Sequence, residues 1–268
     1  MNTESVNPNT KGISTASTED VLYMINAEDC TVAEAVKKQV PQIARMVDAG
    51  VQTIRNGGRV FYCGCGTSGR LAIADAAECT PTYGVSSDLV QAIIAGGMKA
   101  VVNPYEGCED NRERGIEAFQ SAGIRAGDMV IGISAAGRPP FVLAFMERAK
   151  AEGCTVCAVV NNEGTEMARI ADIAVETLTG AEVIKGSTRM KAGTSQKLIL
   201  NMFSTAMFIK MGCTHQNYMV NMIPVNTKLR ARAVSMVSDI LSVDGALAQS
   251  LLEQNDWNIK ATIKAYEG

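Results

Sequence analysis

Short apolar runs alternate with helical sequence through the middle of this chain, and that alternation constrains the fold more than any other feature. RVFYCGC (59–65), LVQAIIAGG (89–97), DMVIGISAAG (128–137), CTVCAVVNN (154–162) and ADIAVET (171–177) read as strands. Between them lie RLAIADAAEC (70–79), EDNRERGIEAFQSAG (109–123), PPFVLAFMERAKAEG (139–153) and EMARIA (166–171), which read as helices. Strands joined by helices need right-handed crossovers, and these give a parallel sheet covered on both faces. The expectation is α/β: a doubly wound, flavodoxin-like sheet of five parallel strands, with ligands at the carboxyl ends of the strands. Residues 1–17 read as an extended arm, and Thr18 opens a short helix. A longer one follows from Thr31, with Val32, Val36, Val40, Ile43, Met46, Val47, Val51 and Ile54 at helical spacing, Pro41 as a kink and Gly57-Gly58 as its end. After a polar loop, 179–192, come a long apolar helix from Thr194 and three more near 226–241, 245–254 and 257–266. The expected division is a main domain over 1–240 and a small helical appendage, ubiquitin-associated-like, over 241–268.

Composition narrows the function. At 268 residues and 47% apolar, the chain buries a core without disulfides or metals. Lys and Arg number 25 against 28 Asp and Glu, a net charge of −3, which disfavours a nucleic-acid partner. No apolar run approaches the ~20 residues of a membrane span, and the start MNTESVNPNTKG has no signal core, so a cytoplasmic location and no membrane partner are expected. Cys154 and Cys157 form a C-x-x-C, but inside a strand, and the eight scattered cysteines read as small buried hydrophobes. His215 is the single histidine, which excludes most histidine-based catalysis; it reads as a structural residue, and no metal site is expected.

Three loops carry candidate chemistry. Gly64-Cys65-Gly66-Thr67-Ser68-Gly69 follows the first strand and opens a helix. The second strand ends IIAGG, without the acid that would hold a dinucleotide ribose, so the loop suits a single phosphate on Gly66, Thr67 and Ser68. Ser134-Ala135-Ala136-Gly137-Arg138 ends the third strand, and Gly186-Ser187-Thr188-Arg189-Met190-Lys191-Ala192-Gly193-Thr194 precedes the long helix. Together they fit a phosphorylated polyol, with Ser134, Gly137, Arg138, Ser187, Thr188 and Lys191 as further binding residues. Of the acids, Glu78 sits on the small helix after the first loop, and Glu106 and Glu109 lie in EGCED; residue chemistry alone leaves their roles open.

ESVNPNT (4–10), GCGTSGRLAIADAAECTPTYG (64–84), EGCEDNRERG (106–115), GAEVIKGSTRMKAGTSQKLILNMFSTAMFIKMG (180–212) and NTKLRARAV (226–234) together resemble the N-acetylmuramic acid 6-phosphate etherases of the sugar isomerase (SIS) fold. Glucokinase regulatory protein is a more distant relative. The resemblance implies cofactor-free conversion of N-acetylmuramic acid 6-phosphate to N-acetylglucosamine 6-phosphate and D-lactate in cell-wall recycling. It places the catalytic pair on Glu78, the acid assisting lactate departure, and Glu109, the base at C2. The second loop departs from the family's A-A-S-G-R-T-P: Ala136 and Pro139 stand at its serine and threonine, with Ser134 restoring a hydroxyl. A non-catalytic sugar-phosphate sensor and a sugar-phosphate isomerase are the alternatives. A homodimer is expected, because the long N-terminal helix and the apolar helix 194–211 offer more apolar surface than one sheet covers.

Overall fold

In the computed structural model, residues 2–105 and 107–267 are described; Glu106 lies outside them. The strands are β1 (Val60–Gly64), β2 (Val90–Ile94), β3 (Met129–Ser134), β4 (Thr155–Val160) and β5 (Ile173–Glu176). All pair in parallel, in the order β2-β1-β3-β4-β5. Val60 stands opposite Val90 on one side and Met129 on the other. The doubly wound, flavodoxin-like sheet expected from the alternation is the observed one.

The helices are α1 (Thr18–Lys37), α2 (Val40–Arg55), α3 (Gly66–Tyr83), α4 (Lys99–Val102), α5 (Arg112–Ser121), α6 (Pro140–Glu152), α7 (Glu166–Ile170), α8 (Lys191–Lys210), α9 (Thr227–Leu241), α10 (Gly245–Gln254) and α11 (Ile259–Glu267). Alternation along each strand assigns the two faces. Phe61, Cys63, Val130, Val156 and Ala158 pack with Phe119 of α5, Phe145 and Met146 of α6 and Met167 of α7. At Gly132 a Cβ would fall 2.3 Å from the Met146 sulfur and 2.9 Å from the Met167 methyl, so the glycine leaves room for these two side chains against the sheet. On the other face Tyr62 meets Phe203 of α8 edge-on, ring centroids 6.2 Å apart. There Gly50 of α2 admits the same ring, which a Cβ would meet at 2.9 Å.

The amino-terminal region differs from the expectation. The break between the first two helices falls at residues 38–39 rather than before Thr31, because Pro41 at the start of α2 cannot continue the preceding turns. Residues 2–15 are not extended: they form three 3₁₀ turns that bury Thr3, Asn7 and Thr10. Helix α3 starts four residues earlier than expected, inside the glycine loop, and runs through Pro81.

The chain forms two compact units. One comprises the chain up to Ala76 with Asp88–Met207; the other comprises Ala77–Ser87 with the chain from Phe208 on. The second takes in more chain than the expected 241–268 appendage, because Val220 and Met222 share one buried cluster with Val237 of α9, Leu252 of α10 and Ile263 of α11. Within it Tyr83 stacks on Phe208 at 4.6 Å, and Arg230 lies over the Trp257 ring at 4.8 Å.

Candidate active site

The three loops singled out in the sequence follow β1, β3 and β5 at the carboxyl edge of the sheet. An α-helix leaves its first amides without intrahelical partners, so each loop can be read by asking where those amides donate.

At the first loop they are open. The first turn of α3 closes with Gly69 N on Cys65 O at 3.3 Å, and the preceding amides of Gly66, Thr67 and Ser68 have no acceptor among the described residues. Gly66 has φ +51° and open space where its side chain would be. Gly69 has no such space, since a Cβ there would lie 2.5 Å from Ile94. Thr67 is half-buried, and Ser68 is buried with its hydroxyl on Gln196 Oε1 at 2.8 Å.

The second loop is closed by its own chain. Ser134 Oγ accepts from Gly137 N at 3.1 Å. Gly137 needs φ +66°, and a Cβ there would strike Thr165 at 2.5 Å. At the start of α6, Pro140 has no N–H, and Phe141 N donates to the Glu109 carbonyl at 2.9 Å. Arg138 is exposed and Ala136 half-buried.

The third loop is closed by an acid that sequence reading did not single out. The Glu182 carboxylate accepts from Lys191 N at 2.8 Å and Ala192 N at 2.9 Å, filling the amino end of α8. Burial pushes this carboxyl up, and the two amides with the Lys191 charge only partly offset it. Lys191, expected to meet a ligand, is 4% exposed. Its ammonium donates to Glu28 Oε2 at 2.5 Å and to Ala181 O at 3.2 Å. Burial alone would raise the Glu28 carboxyl, but hydrogen bonds from Lys191, Asn9 and Asn7 and the Lys191 charge bring it below its ordinary value. The amino-terminal turns belong to this cluster: Asn9 donates to Glu28 at 2.8 Å, Asn7 to Ala181 O at 3.3 Å and Thr10 to Val183 O at 2.8 Å. Ser187 and Thr188 remain half-buried in the loop itself.

Glu109 is tied to the start of α6, just after the second loop. Its carbonyl plugs the start of α6, while its side chain is exposed. Burial first, then the Glu109 carboxylate, pushes the Cys65 thiol of the first loop well up. The segment before it is pinned by Arg70 of α3, whose guanidinium donates to Ala100 O and Val101 O at 2.8 Å and to Asn103 O at 3.2 Å. Glu78 is exposed on the part of α3 that belongs to the second unit. His215 also lies in that unit, half-buried, its backbone closing a tight turn with Tyr218 at 3.1 and 2.8 Å.

An open helix start at the strand ends of a doubly wound sheet is an arrangement that binds ligands, and comparison with known families gives its class, a SIS-type domain. The SIS domain model matches residues 113–206, and that of the glucokinase regulatory protein N-terminal SIS domain matches 42–150. Among solved structures, the phosphoheptose isomerase from Neisseria gonorrhoeae superposes with a TM-score of 0.56 at 20% identity, over 71% of this chain and 98% of that one. The Vibrio vulnificus NanR protein complexed with ManNAc-6P gives 0.51 at 13% identity, over 73% and 65%. Curated relatives are more similar. An N-acetylmuramic acid 6-phosphate etherase from Symbiobacterium thermophilum is 48% identical over 94% of this chain and 84% of its own length. Etherases from Actinobacillus pleuropneumoniae serotype 7 and Clostridioides difficile are each 44% identical, over 98% and 97% of this chain and 86% of their own lengths. The chain belongs to the N-acetylmuramic acid 6-phosphate etherase family.

Proposed function

We propose that this protein cleaves the lactyl ether of N-acetylmuramic acid 6-phosphate, releasing D-lactate and leaving N-acetylglucosamine 6-phosphate. The observation that carries the reading is the set of amides at Gly66, Thr67 and Ser68 that meet no acceptor among the described residues, at the strand end of a chain whose Glu109 carboxylate is exposed on the segment that closes the start of α6. Amides without acceptors at a helix start suit a phosphate dianion, which the helix dipole also favours. Arg138, Ser187 and Thr188 on the neighbouring loops suit the sugar hydroxyls, with Ser134 and Gly137 shaping the second loop.

With the sugar ring open, the C1 aldehyde acidifies the C2 proton. Glu109 takes that proton; the C2–H electron pair becomes the C2–C3 double bond as the C3–O bond breaks. The departing oxygen keeps the bond's electron pair and takes a proton from Glu78, leaving as lactate. Water then adds its oxygen at C3, giving up a proton to the Glu78 carboxylate, and C2 takes its proton back from Glu109. The roles need one carboxylate and one carboxylic acid, and no cofactor or metal. We place the reaction in the cytoplasm, in recycling of cell-wall sugar, and the protein as a homodimer. Exposed Leu22 and Tyr23 of α1 and Met202 and Ile209 of α8 support the dimer as apolar surface left uncovered in one chain. Incubation of the purified protein with N-acetylmuramic acid 6-phosphate should release stoichiometric D-lactate; absence of lactate overturns the assignment, and a monomeric mass at micromolar concentration overturns the dimer.

A further inference from the structure

Beneath the first loop runs a chain of buried side chains whose direction can be fixed. Asn161 follows β4, and its Nδ2 donates to Thr177 O at 3.0 Å and to Ser195 Oγ at 2.7 Å. Gln196 Nε2 donates to Asn161 Oδ1 at 3.0 Å, and Ser68 Oγ donates to Gln196 Oε1 at 2.8 Å. Ser68 is 8% exposed; Asn161, Ser195 and Gln196 are at or below 1%.

Amide orientations and hydroxyl protons usually rest on assignment. Here two backbone carbonyls decide them. Thr177 O can only accept, so the Asn161 nitrogen must face it. Ser195 sends its proton to Ala192 O at 2.7 Å, another obligate acceptor, and so presents its lone pair to the same nitrogen. The Asn161 oxygen therefore faces Gln196 and must receive the Gln196 nitrogen. That leaves the Gln196 oxygen facing Ser68, and the one proton of the Ser68 hydroxyl goes to it. In a buried network a reversal would set carbonyl against carbonyl, a costly arrangement.

We propose that Gln196 is a positioning residue for the phosphate cradle: it holds the Ser68 hydroxyl inward, so that Ser68 serves the ligand through its backbone amide while its side chain latches the first loop to α8 and to the ends of β4 and β5. The inference rests on the reading of the first loop as the phosphate seat. It departs from a direct side-chain contact between Ser68 and phosphate, because a hydroxyl with its proton committed offers a phosphate oxygen only a lone pair.

The test is a double-mutant cycle of Ser68→Ala and Gln196→Met, the methionine keeping the glutamine's length and volume without its hydrogen bonds. KM and kcat are measured for lactate release, the Kd of N-acetylglucosamine 6-phosphate by calorimetry, and hydrogen exchange at residues 66–70 in the ligand-free protein. Each single variant should raise KM and Kd by about tenfold, the size of one lost buried hydrogen bond, with kcat nearly unchanged and exchange at 66–70 faster. The double variant should be no worse than the poorer single, since both break one chain. Losses that multiply in the double variant would mean that Ser68 meets the ligand on its own account, and unchanged KM and exchange in Gln196→Met would remove the latch; either overturns the proposal. If Gln196→Met does not fold, Ser68→Ala alone decides through exchange, which must rise. Wild-type protein that binds no sugar phosphate sinks the proposed function instead, and the exchange comparison still judges the latch.

Discussion

The start of α3 and the starts of α6 and α8 lie at the same edge of the same sheet, yet they present opposite surfaces. At α6 a proline and the Glu109 carbonyl leave little for a ligand to bind, and at α8 the Glu182 carboxylate already occupies the position an anion would take. At α3 the amides of Gly66, Thr67 and Ser68 meet no acceptor among the described residues. The same backbone chemistry is thus structural where the chain supplies its own acceptor and available for binding where it does not. Glycine-rich, hydroxyl-rich sequence marks all three loops and cannot tell these cases apart.

Variants can break this contrast in order of size. Glu109→Gln should leave the carbonyl plug on α6 in place and remove only the carboxylate. Lactate release and exchange of the C2 hydrogen of N-acetylglucosamine 6-phosphate should both fall by ~10²–10⁴-fold, with melting unchanged. Glu78→Gln should stop lactate release yet spare some C2 exchange, read by deuterium incorporation; swapped behaviour would exchange the two roles.

Lys191→Met asks whether the third loop is a binding loop or a joint. It strands the buried Glu28 carboxylate, so a stability loss of ~3–5 kcal/mol is expected. Denaturant unfolding that shows no loss, with a raised KM instead, would return Lys191 to the ligand.

Filling the open end should do to α3 what Glu182 does to α8. Gly66→Asp places a carboxylate over the amides, and affinity for N-acetylglucosamine 6-phosphate should fall about a hundredfold, the scale of a charge-assisted hydrogen bond lost to a competitor. Gly66→Asn has similar size and similar tolerance of positive φ but no charge, and should lose far less. Equal losses in calorimetry would show that shape, not charge, governs the loop.

The smallest effect is on the acid side of the stability profile. Unfolded, Glu28 titrates at its ordinary 4.5, and folded it titrates lower. Its contribution is therefore complete above pH 4.5 and is lost as pH falls through the lowered value. Glu28→Gln should flatten that limb relative to wild type. Glu182 has the opposite sign, since its folded value is raised: its contribution is complete below its ordinary 4.5 and declines as pH rises through the raised value. Parallel limbs for Glu28→Gln and wild type would mean that the Lys191 pair does not favour the charged carboxyl.

The sequence by itself determined the five strands, their parallel winding and the edge at which the three candidate loops lie, because apolar runs such as VFYCG and TVCAVV are local and recur with the element. Family resemblance added the acids Glu78 and Glu109. Only the tertiary structure decided which amides are open and which side chains are committed. Lys191 reads as a surface cation until Glu28, 163 positions away, is found against it. Ser68 reads as a hydroxyl of the glycine loop, and only the fold sets that hydroxyl on Gln196, 128 positions away. The amino-terminal turns read as a loose arm until Thr10 is seen bonded to Val183, 173 positions on. Hydrophobic periodicity is a property of neighbours in the chain, whereas a hydrogen-bond donor is free or occupied according to what folding brings beside it.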